Sequence, residues 1–352
     1  MKIALLLSGG VDSAVALKIL KDQGHDLTAF YLKIWLEDDV SFLGNCPWQQ
    51  DLNYVRKTCE KLDVPLKIIP LQKEYFENVV KYTISEIKKG RTPNPDIMCN
   101  NHIKFGLFLK KINKSYEKIA TGHYSQLEEN KGIYYLKMTS DPIKDQTYFL
   151  SNLKQDQLKK IIFPIGHLTK KEVRKLAEKY DLPNKDRKDS QGICFLGKIK
   201  YKDFIKHYLG EKKGDILEFE THKKLGEHKG YWYYTIGQRK GIELGGGPYF
   251  VVKKDIPKNI IYVSKKYHTP EKKRNKLKVE NFNWFANRFP NKRNLRVKLR
   301  HGEHIYKAKI DFLNNNKATI NIDSDDQGIA PGQFAAFYDE ERCLGSAVIS
   351  ES

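Results

Sequence analysis

Three groups of residues in this chain have types and settings suited to chemistry: Ser8-Gly9-Gly10-Val11-Asp12-Ser13, Cys99 and Cys194. Glycines at 9 and 10 let the backbone approach a ligand without interference from a Cβ. A helical pattern follows at once, so free N–H groups and the positive end of a helix dipole meet at one point, which is an anion site. The G-x-x-x-x-G-K-[ST] pattern is missing, which excludes a Walker-type kinase or GTPase loop. A plain Ser/Gly turn would use the same residues, but an apolar strand before it and a helix after it favour the anion site. Cys99 ends the proline-restricted stretch Arg91-Thr92-Pro93-Asn94-Pro95-Asp96-Ile97-Met98 and precedes an amphipathic pattern on Ile103, Phe105, Phe108 and Ile112. A thiol near a helix N-terminus has a stabilised thiolate, suited to nucleophilic or redox work. The same residue also reads as a small buried hydrophobe, the commonest fate of free cysteine. Cys194 sits in Lys188-Asp189-Ser190-Gln191-Gly192-Ile193, where Arg187 and Lys188 favour thiolate and Gly192 permits an unusual backbone path. It too has a purely structural reading. Cys46, Cys59 and Cys343 have no comparable setting, and Cys59 reads as core.

The elements that must position these groups follow from apolar patterning. Ile3–Leu7 is an unbroken apolar run, as for a strand buried on both faces of a parallel sheet. Val11–Lys21 reads as a helix closed by Gly24. Strands at Leu27–Trp35, Leu66–Pro70 and Lys118–Thr121 alternate with helices at Asp51–Leu62, at Tyr75–Lys89 before Gly90, and after Cys99. This rhythm predicts an α/β fold, a doubly wound parallel sheet with helices on both faces. Thr169-Lys170-Lys171-Glu172 is a capping box for a helix running to Tyr180. After about Lys198 the rhythm breaks into a short helix, Tyr201–Tyr208, and then glycine-punctuated strands. Alternating segments at Leu295–Leu299, Tyr306–Phe312, Ala318–Ile322 and Phe334–Tyr338 predict a small C-terminal β-barrel. The expected units are residues 1–197, a small mixed unit over 198–270, and a basic barrel over 271–352.

With 352 residues the chain is long enough for two or three separate cores. No apolar stretch is long enough to span a bilayer, and Met1-Lys2 leads into a core strand without a signal peptide. Five scattered cysteines without a C-x-x-C pair argue against a disulfide scaffold or a structural zinc site. A cytoplasmic enzyme with reduced thiols is expected. The formal net charge is +20, and residues 265–300 hold 13 Lys or Arg against two Glu. Such a block often marks only a solvated face. Here Tyr267, Phe282, Trp284, Phe285 and Phe289 interleave it, which predicts a polyanion surface with stacking platforms, and nucleic acid as partner. In that setting Asp96 suits acid/base work or a contact to a base edge, and Asn94 suits a hydrogen bond to an everted base.

SGGxDS resembles the pyrophosphatase loop of enzymes that cleave ATP to AMP and pyrophosphate while adenylating an oxygen. Beyond it, GRTPNPDIMCN (90–100), IKFG (103–106), ATGHY (120–124), KDQTYFL (144–150), KDSQGICF (188–195), YTIGQRKG (234–241), GGGPYFV (245–251) and APGQF (330–334) run in order through nearly the whole chain. Together they resemble the bacterial tRNA-specific 2-thiouridylases. The resemblance implies an adenine nucleotide alpha-hydrolase-like domain that uses ATP with Mg²⁺ to adenylate the C2 oxygen of the wobble uridine of tRNA. It implies that Cys194 carries a persulfide supplied by a cysteine desulfurase or sulfur-relay protein. Cys99 would then act as nucleophile and close a transient disulfide with Cys194. It also implies that Leu6, Leu7, Ser8, Gly9, Gly10, Val11, Asp12, Ser13, Leu32 and Gly122 bind ATP, and that Asn94, Pro95 and Asp96 meet the target base. His123, Asp145, Gln146, Thr147, Arg300, His301 and Gln333 would contact tRNA.

Three other readings stay open on the sequence. A different ATP-pyrophosphatase ligase would explain the loop but not the cysteine motifs. A non-catalytic RNA-binding protein would explain the charge but not the loop. An iron–sulfur cluster on Cys99, Cys194 and Asp96, less favoured than the persulfide, would change only the sulfur chemistry.

Overall fold

The computed structural model describes residues 1–34, 48–112, 114–188, 200–266, 274–326 and 328–351. Its first sheet has the order β3-β2-β1-β4-β7, built from β1 (Lys2–Leu6), β2 (Asp26–Lys33), β3 (Leu66–Pro70), β4 (Lys118–Ala120) and β7 (Ile161–Ile162), all parallel. Alternation along β1 explains its apolar run. Ile3, Leu5 and Leu7 enter a core on one face with α1 (Val11–Asp22), α2 (Trp48–Lys61) and α7 (Lys170–Lys179). Ala4 and Leu6 enter the core on the other face with Phe30, Ile97, Phe105 and Phe108. A strand with apolar neighbours on both sides cannot alternate in polarity, as expected for a doubly wound sheet.

Continuous helix runs over α3 (72–88) and α4 (95–111), each with a π-wound stretch, Phe76–Val80 and Cys99–Leu107, and the short helices α5 (Thr147–Leu150) and α6 (Gln155–Leu158) follow. The expected capping box is present at α7. The Glu172 N–H donates to Thr169 Oγ1 at 3.3 Å, and the Thr169 N–H donates to Glu172 Oε2 at 2.7 Å. After α8 (Tyr201–Leu209), β8 (Gly214–Glu218), β9 (Lys224–His228), β10 (Phe250–Asp255) and β11 (Ile260–Ser264) form a four-stranded sheet in the order β10-β11-β8-β9.

The C-terminal barrel is closed. Its strands β12 (Lys276–Trp284), β15 (Lys317–Ile322), β14 (Tyr306–Asn314), β13 (Asn294–Lys298), β16 (Phe334–Asp339) and β17 (Arg342–Glu351) follow one another antiparallel, and β12 pairs back onto β17. The hairpin β5 (Gln126–Asn130) and β6 (Ile133–Lys137), which apolar patterning did not reveal, leaves the first unit and joins β17 through Cys343–Leu136 and Arg342–Lys137. The barrel also shares the second core of the parallel sheet, contributing Phe285, Phe334, Ala336, Tyr338 and Cys343.

The stacking-platform expectation for the basic stretch does not hold. Trp284 and Phe285 are buried, Phe282 stacks on Trp284 at 5.2 Å, and Phe289 packs against Phe312 at 4.6 Å inside the barrel. Trp284 and Phe285 are core, and Phe282 and Phe289 are partly buried against the barrel interior. Tyr267 lies outside the described residues. Lys265, Lys266, Lys276, Lys278, Arg288, Lys292 and Arg293 are exposed, so the positive surface remains while Trp284 and Phe285 are turned inward.

Candidate active site

Strand order reverses between β1 and β4, and in open α/β sheets ligands bind outside the carboxyl ends of the strands at such a switch point. The Ser8–Ser13 loop leaves β1 there, and Thr121-Gly122-His123 leaves β4 beside it. The two segments touch through Gly122, where a Cβ would lie 2.7 Å from the Asp12 carbonyl carbon and from the Ser13 nitrogen. Gly9 has a φ of +79°, the left-handed region that favours glycine. Gly10 is the N-cap of α1 and supplies no side-chain cap, so the first-turn N–H groups face the space ahead of the helix. Ser13 Oγ donates to the Gly10 carbonyl at 3.0 Å and accepts from the Ser8 N–H at 3.2 Å, which closes the turn. Leu6 and Leu7 are core side chains, so any contribution they make to nucleotide binding runs through the main chain. Leu32 is partly buried at the end of β2.

Five residues complete this site that sequence reasoning did not assign to it. Lys170 Nζ lies 2.6 Å from Asp12 Oδ1, and the Tyr124 hydroxyl donates to the same oxygen at 2.7 Å. Asn184 Nδ2 and Arg187 Nη1 both donate to the Gly9 carbonyl, at 2.8 and 3.0 Å. Arg187 also pairs with Asp51, whose carboxyl burial raises above its usual range against the lowering pull of that guanidinium. The capping box had marked Lys170, and Arg187 had been noted only as a charge near Cys194. Neither local pattern reveals a contact more than 150 residues away.

Cys99 is placed differently from expectation. The helix begins before it, with Asn94 as N-cap accepting from the Ile97 N–H at 3.2 Å, Pro95 in the first turn and Asp96 beside it. Cys99 is therefore one turn inside α4, where the dipole effect has weakened. It is 2% exposed, packed with Leu71, Tyr75, Val79, Ile103 and Phe204. Ile34 and Leu71, which follow β2 and β3, belong to the same cluster, so Cys99 lies at the edge of the sheet that carries the Ser8–Ser13 loop. Cys59 is core, its thiol pushed up to about 11 by burial. Burial pushes Cys343 up to about 12. Cys46 and Cys194 lie outside the described residues.

The residues expected to meet RNA are placed in several different settings. Asn94 and Gln333 come together. Asn94 Nδ2 donates to Gln333 Oε1 at 3.2 Å, and Gln333 Nε2 donates to the Thr92 and Pro93 carbonyls at 3.0 and 2.9 Å. Asp145 and Thr147 have no exposed surface, which corrects their expected place at an RNA surface. Asp145 pairs with Lys298 at 2.6 Å, and Thr147 Oγ1 lies 2.9 Å from the Tyr338 hydroxyl. Gln146 Oε1 accepts from the Tyr124 N–H at 2.9 Å. Arg300 and His301 are exposed. Arg300 pairs with Asp326, and the His301 ring lies 4.7 Å from that of Phe149.

His123 has its Nδ1 2.8 Å from Thr121 Oγ1 and sits between Phe105 and Phe163. Burial, helped by Lys104, holds its pKa well below the ordinary 6.5. The unfolded chain takes up this proton as pH falls through that ordinary value while the folded chain does not. The contribution of this one ring to stability should therefore fall on acidification, by at most about 1.4 kcal/mol per pH unit. Thermal melts between about pH 7.5 and about pH 5.5 should show the drop, and His123→Gln should flatten it. An unchanged slope would remove His123 as its source.

Three family models match the chain in order: a tRNA methyl transferase HUP domain over residues 1–198, a tRNA methyl transferase PRC-barrel domain over 202–265, and an aminomethyltransferase beta-barrel domain over 274–349. The parallel sheet with its loop at the switch point is thus a HUP domain followed by two β units. The tRNA-specific 2-thiouridylase MnmA of Parabacteroides distasonis is 46% identical over 360 residues, covering 99% of each chain. That of Porphyromonas gingivalis is 42% identical over 363 residues, covering 100% of this chain and 99% of its own. Among solved structures, NMN synthetase from Francisella tularensis overlaps 58% of this chain and 75% of its own, at 20% identity and a TM-score of 0.35. This chain belongs to the tRNA-specific 2-thiouridylase family.

Proposed function

We propose that this protein forms 2-thiouridine in tRNA by ATP-dependent sulfur transfer, at the wobble uridine. The observation that carries the reading is that the SGGVDS loop and the Cys99 helix lie at the same edge of one sheet, within a chain that aligns end to end with 2-thiouridylases. ATP binds at the loop, where α1 N–H groups and Lys170 face the phosphates. Asp12 supplies a carboxylate, which fits the usual Mg²⁺ pattern of one or two carboxylates plus phosphate oxygens. The uracil C2 oxygen attacks the α-phosphate, pyrophosphate leaves, and a poor leaving group becomes a good one.

Sulfur arrives as a persulfide on Cys194 from a cysteine desulfurase or relay protein. The Cys99 thiolate attacks the inner sulfur of that persulfide, and the released hydrosulfide adds at C2 as AMP departs. The Cys99–Cys194 disulfide left behind is opened by an external dithiol. Asp96 serves as acid/base beside the base. An iron–sulfur cluster is the alternative sulfur carrier. Because Cys99 is closed to solvent, the segment around Asn94 and Pro95 shifts when the everted uridine enters. His123, Arg300 and His301 meet tRNA, and residues 198–270 and 271–352 hold it against the catalytic unit, residues 1–197. Asp145, Gln146 and Thr147 act indirectly, by setting the joint between the units. A tRNA substrate and reduced thiols put the protein in the cytoplasm.

The test is nucleoside mass spectrometry of tRNA incubated with the protein, ATP and a desulfurase system. 2-Thiouridine should appear only with ATP and sulfur donor present. Colourless, iron-free protein should remain active, and inactivity restored by cluster assembly would favour the cluster. The same spectrum separates thiolation from methylation, and a methylated product would overturn the reading.

A further inference from the structure

We infer that Arg187 and Asn184 are positioning residues for the ATP step, holding the Gly9–Gly10 peptide so that its N–H faces the phosphates. The inference rests on the nucleotide site proposed above. In a trans peptide the carbonyl and the following N–H point in opposite directions. The Gly9 carbonyl is held on one side by Asn184 Nδ2 at 2.8 Å and Arg187 Nη1 at 3.0 Å. The Gly10 N–H is thereby turned to the opposite, inner side of the loop. There it meets Ser8 Oγ at 3.4 Å, a long contact that a phosphate oxygen would readily displace. An N–H fixed before the ligand arrives loses no orientational freedom on binding, which is the advantage of preorganised donors.

The guanidinium is itself held from three directions. It pairs with Asp51, lies 5.0 Å from the centre of the Tyr54 ring, and donates to Gly9. Its own carbonyl accepts from Arg174 Nη1 at 2.6 Å, which ties the segment to α7. The same helix carries Lys170 at its start, and Lys170 returns to Asp12 in α1. A closed ring of contacts therefore runs from the loop through residues 184–187 to α7 and back to the loop. Gly9 is enclosed by it, since a Cβ there would lie 2.7 Å from the Asp51 carbonyl oxygen and 3.0 Å from Arg187 Nη1.

ATP affinity measured by calorimetry without tRNA, together with KM for ATP and for tRNA, tests this. Arg187→Met should weaken ATP binding about 10-fold or more, the worth of a hydrogen bond to a charged donor, with KM for tRNA unchanged. Arg187→Lys should recover part of the loss, because an ammonium can reach the carbonyl but not Asp51 at the same time. Unaltered ATP affinity in folded Arg187→Met would overturn the inference. If that variant does not fold, Asn184→Ser removes the other donor to the same carbonyl and is judged by the same threshold of loss. Failure of the unaltered protein to bind ATP would instead sink the nucleotide site itself, so the two failures are distinct.

Discussion

Cys99→Ser should reduce 2-thiouridine formation by roughly 10⁴-fold or more, the scale seen when an enzyme loses its nucleophile. The substitution exchanges one small buried group for another, so ATP and tRNA affinity should stay within about twofold of the unaltered protein. This contrast separates a chemical role from a packing role. Cys99 has the surroundings of a core residue, with Tyr75, Val79, Ile103 and Phe204 against it. If packing were its whole function, serine would lower stability and leave turnover per folded molecule intact. Retained thiolation in Cys99→Ser would therefore refute the nucleophile assignment. Alkylation supplies a second readout. The thiol, 2% exposed, should react slowly in the free protein and faster once tRNA and a non-hydrolysable ATP analogue are added.

Lys298→Met should cost about 3–5 kcal/mol of stability by urea unfolding, because it strands the Asp145 carboxylate inside the protein. Lys298 is 1% exposed and Asp145 is 0% exposed, with 2.6 Å between Nζ and Oδ2. Thr147 Oγ1 donates to both carboxylate oxygens, at 3.0 and 2.8 Å, and Tyr338 lies behind it. These bonds orient the carboxylate but cannot neutralise it. Removing both charges, as in Lys298→Met with Asp145→Leu, should restore much of the loss, since apolar replacements of buried pairs are often neutral. A loss below about 1 kcal/mol for Lys298→Met alone would mean that water reaches the pair. The pair bridges the first unit and the barrel, so the same variant should also weaken tRNA binding if the joint aligns their surfaces.

The parts legible in the sequence were those whose signal is local. Ile3–Leu7, the glycine turn and the following helix stand next to one another in the chain, and their order alone places an anion site at a strand end. The short barrel strands were visible through alternation. What escaped depended on parity or distance. Along β12, Leu277 and Val279 face inward, but the register shifts between Glu280 and Asn283, and Asn281 has a φ of +58°. This bulge reverses the alternation, so Phe282 and Trp284 turn into the barrel although their spacing from Val279 suggests otherwise. Lys298 carries the signature of a surface residue, and only Asp145, 153 positions away, makes it internal. The helix around Cys99 was placed too late because the two prolines read as a loop, whereas Pro95 fits the first helical turn after the Asn94 cap. Cys194 carries half of the proposed sulfur chemistry and lies outside the described residues.

The hairpin of residues 126–137 lengthens the barrel wall at β17, while Phe285, Phe334 and Tyr338 of the barrel help to cover the underside of the parallel sheet. Each half thus finishes the other's interior. The nucleotide-binding half is therefore not a module that can be excised: trimmed away from the barrel, it would present Leu136, Tyr148 and Ile97 to water and behave as an aggregating fragment.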